Sequence, residues 1–199
     1  MRKRLAGLAS NILNPFSVSI TVIILLAFKA TASTAEAIKW AALAISLSIL
    51  PVFVIILCLV HRRKIEGIFI KAREQRHRIY LLASAFAVVS CIILAYAGAP
   101  PALLAAFVAG LSSILVFMGI NLWWKISVHT AFAAASVTIL AISYGAAGAV
   151  SAVLLPVIGW ARIELEHHSP AQVIAGAVLA ALTAFVVFYL FGLSPLRHV

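Results

Sequence analysis

Residues 101–120 read PALLAAFVAGLSSILVFMGI, without one charged side chain. A helix of this length on the surface of a water-soluble protein would carry a polar face, and a half-buried strand would alternate apolar with polar residues. This stretch does neither. Its length is close to the ~20 apolar residues a helix needs to cross the hydrocarbon of a bilayer. A helix also satisfies its own backbone hydrogen bonds there, which an isolated strand cannot do.

Working outward, comparable runs bounded by charge, Pro or Gly lie at about 12–31, 38–60, 79–97, 129–144, 148–161 and 171–191. The runs at 129–144 and 148–161 are short for a perpendicular crossing, so they are expected to extend into flanking polar segments or to sit partly inside the protein. Pro51 and Pro156 fall within runs and are expected to kink them. Composition points the same way: 65% of the 199 residues are hydrophobic and 10% charged, whereas soluble domains are about half apolar. The expected fold is all-α, a polytopic bundle of six to seven transmembrane helices. With no internal repeat and no low-complexity linker, residues 1–199 are expected to form one integral membrane domain.

The formal charge is +10. In a soluble chain that balance would suggest nucleic acid, but in a membrane chain it reflects Lys and Arg held on the cytoplasmic side, so no nucleic-acid partner is expected. Alternating the loops places residues 1–11, 61–78, 121–128 and 162–170 on one side. That side holds twelve of the fifteen Lys and Arg residues, leaving Lys29, Lys39 and Arg197 for the other. The basic side is therefore expected to be cytoplasmic. Met1 to Arg4 ahead of an apolar stretch resembles a signal peptide, yet a retained first helix is expected because it returns the basic loops to one face. Cys58 and Cys91 each sit within an apolar run, which supports packing roles and neither a disulfide framework nor a thiolate metal site.

Five of the six histidines lie on the same basic side: His61, His77, His129, His167 and His168. Three segments there could carry chemistry. Lys71 and Arg78 are seven positions apart and share a face if helical, a face that would suit a phosphate. The plainer reading is a juxtamembrane basic segment touching anionic lipid headgroups, and Arg73 and Arg76 offer a second register. Ser127 and His129 open an apolar run, where a hydroxyl, an imidazole and free helix N-terminal amides converge on an anion. Otherwise Ser127 is simply an N-cap and His129 a polar interface residue, with Trp123 and Trp124 as an aromatic belt. His168 and Gln172 are spaced i, i+4, so the amide oxygen can hold the imidazole, with Arg162 six residues upstream of His168. The alternative makes His167 and His168 a polar cap before Pro170 starts the last helix. Two apolar runs separate the first segment from the second, and two more separate the second from the third, so all three return to one face.

These residues resemble the type 2 phosphatidic acid phosphatase (PAP2) superfamily of membrane lipid phosphatases. Its three motifs are K-x6-R-P, P-S-G-H and S-R-x5-H-x3-D. The matching positions here are Lys71 through Arg78 and Ile79, then Ile126-Ser127-Val128-His129, then Ala161-Arg162 through His168 to Gln172. The similarity covers residues 71 to about 176. Ile79, Ile126, Val128 and Ala161 stand in place of Pro, Pro, Gly and Ser. Gln172 replaces the aspartate that orients the nucleophilic histidine in the family, and a neutral amide stabilises an imidazolium less well.

The resemblance implies a PAP2-like helical fold and hydrolysis of a lipid phosphate or an isoprenoid or other lipid diphosphate. It implies His168 as the nucleophile of a phosphohistidine intermediate, His129 as general acid and Gln172 as the group holding His168. Lys71, Arg78, Ser127 and Arg162 would bind the phosphate. No metal and no cofactor is expected: the chain has no Asp, and its few Glu residues form no repeated acidic motif of the kind a magnesium-dependent prenyltransferase would need. Two other classes fit less of the pattern. One is a catalytically silent relative that binds lipid phosphates, to which Gln172 points. The other is a small transporter, against which the helix centres are almost uncharged.

Overall fold

The computed structural model describes residues 1–65 and 73–193, the side chains of 73–75 excepted. Among them the order is α1 (Arg2–Ile12), α2 (Pro15–Ala30), α3 (Thr34–His61), α4 (Arg73–Tyr96), α5 (Pro101–Ile120), α6 (Val128–Tyr144), α7 (Ala146–Ala149), a 3-10 turn (Val150–Val153), α8 (Leu154–Glu164) and α9 (Pro170–Leu190). The fold is an all-α bundle of the kind the apolar runs require. Five helical stretches are long and apolar enough to cross a membrane, and a sixth follows if α1 and α2, bent by 41° at their junction, count as one. The protein is thus a multi-pass membrane protein, with α6 as a shorter apolar helix inside the bundle.

Local sequence explains most of the boundaries. Pro opens α2, α5 and α9, where its missing N–H is not needed. Asn14 Oδ1 accepts the N–H of Phe16 at 2.9 Å and of Ser17 at 3.0 Å, capping α2. Gly98 and Gly145, at φ of 72° and 63°, end α4 and α6 in a conformation that costs other residues more. Pro51 lies inside α3. The expected kink at Pro156 takes a different form. The run at 148–161 is divided into α7, the 3-10 turn and α8, and Pro156 sits in the first turn of α8, where a proline fits without breaking a helix already under way.

Packing follows membrane logic. Along α9, Ile174, Val178, Leu182 and Val186 form an exposed stripe at four-residue spacing, while Gly176, Ala180 and Ala184 face inward. Large apolar groups lose nothing by facing lipid tails, and small ones let helices approach. The closest approach joins α9 to the start of α6. A Cβ on Gly176 would stand 2.8 Å from the Ser127 carbonyl oxygen and 2.9 Å from Ile126 Cγ2, so only glycine fits without displacement. Two hydrogen bonds fix the contact: Ser127 N–H to the Gln172 carbonyl at 3.3 Å, and Thr130 Oγ1 to the Val173 carbonyl at 3.2 Å. The second and third sequence segments are thereby joined.

Candidate active site

Ser127 is fully buried at the N-cap of α6, its hydroxyl accepting the Thr130 N–H. Two residues on, His129 points into the bundle and is 4% exposed. From the other side, α8 ends at Glu164 and the chain reverses through Glu166, which adopts a left-handed φ of 57°. The Arg162 carbonyl accepts the N–H groups of both His167 and His168, at 3.1 and 3.3 Å. This turn folds His168 back beneath α8, and Ser169 begins α9 with a capping box in which its hydroxyl and the Gln172 side chain serve each other's backbone N–H.

That capping box decides the chemistry of His168. Gln172 Oε1 accepts the Ser169 N–H at 3.3 Å, which fixes the amide with its oxygen toward the helix start, and it lies 3.1 Å from His168 Nδ1. An amide oxygen only accepts, so Nδ1 carries the proton and Nε2 keeps its lone pair. Burial first, then the charges of Arg76, Lys125 and Arg162, push His168 down from the ordinary 6.5 to about 3, with the Gln172 hydrogen bond acting in the opposite direction. The ring is neutral at neutral pH, with Nε2 unprotonated.

His129, His168, Arg162, Arg76, Lys125 and His167 all line one cavity of about 170 Å³. Arg162 is 5% exposed and its Nε–H has no hydrogen-bond partner among the described residues, which leaves a buried cationic donor fit for an anion. The rest of the lining is apolar: Pro15, Phe16, Val52, Ile79, Tyr80, Ile114, Phe132 and neighbours. Pro15, Phe16, Val52, Ala83, Ile114 and Phe132 also line a second cavity of about 220 Å³, bounded by Val22, Ile49, Phe107 and Gly110 among others. The two cavities adjoin along those shared residues, one bearing the cations and the other apolar.

Of the residues anticipated from sequence, the structure brings together Ser127, His129, Arg162, His168 and Gln172. Lys71 lies outside the described residues. Arg78 is corrected in placement: it is exposed and does not line the cavity, whereas Arg76 does, donating from Nη1 to the Ile126 carbonyl at 3.1 Å. The reason is helical phase. Arg76, Ile79, Tyr80 and Ala83 fall on one stripe of α4, and Arg78 projects from another side. That stripe was available in the sequence once α4 was allowed to begin before residue 79. Lys125, whose Nζ donates to the His167 carbonyl at 2.9 Å, was not among the residues expected to bind phosphate.

Fold and cavity together define a polytopic helical membrane protein with a cationic, histidine-bearing chamber at one end of its bundle. Residues 122–194 match the family model described as the PAP2 superfamily, a stretch that takes in the second and third motif segments. No curated protein and no solved structure matches it. That likeness suggests a phosphatase-type activity on lipid phosphates.

Proposed function

We propose that the protein hydrolyses a lipid phosphate or diphosphate through a phosphohistidine on His168. The observation that carries this reading is the cavity that two buried imidazoles share with the Arg162 guanidinium, adjoined by an apolar cavity that has Phe16, Val52 and Phe132 in common with it. A lipid's phosphate would occupy the cationic end while its tail lies against Phe16, Val52 and Phe132.

His168 Nε2 donates its lone pair to phosphorus as the bond to the leaving oxygen breaks, and His129, which takes up a proton as the phosphate's negative charge enters among the cations, gives that proton to the leaving oxygen. Water then attacks the phosphohistidine; His129, now neutral, takes the water's proton, phosphate departs and His168 is restored. Arg162, Arg76 and the first amides of α6, whose start Ser127 caps, hold the non-bridging oxygens, since phosphoryl transfer depends mainly on positioning and electrostatic stabilisation. Lys71 remains a candidate for a further cation at this phosphate. The face bearing the chamber is proposed to be cytoplasmic, on the strength of the basic loops. No metal is invoked in this scheme.

The test is phosphate release from a panel of lipid mono- and diphosphates by the purified protein in detergent. His168→Ala is expected to lower release by more than about 1,000-fold, and the parent to accumulate an acid-labile phosphoryl group on His168. Equal release by parent and variant removes His168 as nucleophile. A silent lipid-phosphate-binding protein is the reading that Gln172 favours, and binding without turnover, even in Gln172→Asp, would select it.

A further inference from the structure

Arg162 is held from an unexpected direction. Its Nη1 donates to Ser10 Oγ at 2.8 Å, across 152 positions of sequence, and both residues are buried, Ser10 at 2% and Arg162 at 5% exposure. Ser10 belongs to α1, which lies wholly outside the matched residues 122–194. The helix is two-faced: Ala6 and Ser10, one turn apart, are buried in its contact with α8, while Leu5, Leu8 and Ile12 are exposed. Two ion pairs, exposed Arg2 with half-buried Glu164 at 3.5 Å and exposed Lys3 with exposed Glu166 at 2.6 Å, join the start of α1 to the end of α8 and the turn after it.

We infer that Ser10 is a positioning residue for Arg162, so that the N-terminal helix contributes to the phosphate site; this rests on the phosphate-binding role proposed for Arg162. A guanidinium is planar, and fixing one terminal nitrogen sets the plane and hence the direction of its remaining N–H groups. Here the unpaired Nε–H is among the groups so directed. The partner's chemistry matters as much as its place. A carboxylate at position 10 would orient Arg162 but cancel the charge that a phosphate needs, whereas a hydroxyl orients it and leaves the charge available. The adjacent Ala161 is buried and offers no polar group for the task.

The experiment compares parent, Ser10→Ala, Ser10→Thr and Ser10→Asp for the dissociation constant of inorganic phosphate and for kcat/KM on one lipid phosphate, with thermal unfolding in detergent as the check on folding. Losing a hydrogen bond to a charged group predicts that Ser10→Ala weakens phosphate binding about 10-fold. Ser10→Thr should restore most of it, and Ser10→Asp should weaken it further despite keeping a partner for Arg162. On an Arg162→Ala background, Ser10→Ala should have no additional effect. Parent-like phosphate binding in Ser10→Ala, or losses that add on the Arg162→Ala background, overturns the inference. Absence of lipid hydrolysis by the parent would sink the phosphatase reading instead, while the phosphate-binding comparison still decides the role of Ser10. Replacing Arg2 and Lys3 by alanine is the control, expected to leave phosphate binding unchanged because both cations are exposed to solvent screening.

Discussion

The two adjoining cavities are built on different principles. At the cationic end nearly every group is fixed by a second one: Ser127 by the Gln172 backbone, His168 by the Gln172 side chain, Arg162 by Ser10, Arg76 by the Ile126 carbonyl. At the apolar end the lining comes from α2 to α6 and is mostly Val22, Ile49, Ala106, Gly110 and similar groups with no directional demands, with the hydroxyl-bearing Ser19, Ser48 and Ser136 among them. Polar groups in a water-poor setting cost free energy unless each is paired, so the cationic end admits few arrangements. Dispersion contacts with hydrocarbon are non-directional, so the apolar end tolerates many. Recognition of the head should therefore be strict and recognition of the tail permissive.

The sharpest way to break this contrast is at Arg162. Lysine keeps the charge but lacks the planar fork, so it cannot both bond Ser10 and present a second N–H to phosphate. Arg162→Lys is expected to lower kcat/KM about 100-fold on every lipid phosphate tested, whatever its tail. A loss confined to long-tailed substrates would refute the division into head and tail ends.

A smaller effect is expected from Gly110→Leu at the apolar end. Gly110 lines the apolar cavity and a Cβ there meets nothing within 4 Å, so a leucine starts in open space and takes up cavity volume. KM for long-tailed lipid phosphates should rise about 10-fold, with short-chain substrates and kcat little changed. An equal rise for short and long chains would show that the second cavity does not receive the tail.

The smallest effect concerns acid. His168 sits near 3 in the folded protein and at its ordinary 6.5 when unfolded, so between those values the unfolded chain binds the additional proton. The stabilising contribution is complete above pH 6.5 and is lost progressively as pH falls toward 3. In thermal unfolding from pH 7 to pH 4, the parent should therefore lose more stability than His168→Gln, which has no proton to bind. Inorganic phosphate should reduce the difference by offsetting the positive charges of Arg76, Lys125 and Arg162. Identical pH profiles for the two proteins would mean that His168 is not held in the cation-rich, buried setting described.

Much of this architecture could be read from the chain alone, because bilayer thickness and backbone hydrogen bonding impose long apolar runs that composition reveals directly. Ser127, His129, Arg162, His168 and Gln172 were legible for a related reason: local spacing places them at helix ends, and helix ends expose amides that hold anions and capping groups. Arg76 was missed in favour of Arg78 because the choice depends on the rotational phase of α4, which packing against α5 and α3 sets. Lys125 is reached through a loop turn whose direction no periodicity encodes.

What the sequence determined by itself is the multi-pass helical class, since it follows from short-range pattern and from the cost of charge in hydrocarbon. Only the tertiary structure decided which cations enter the chamber, that Gly176 lets α9 press against the start of α6, and that Ser10 reaches Arg162. Those contacts join residues tens to more than a hundred positions apart, and long-range packing leaves no mark in the local pattern of either partner.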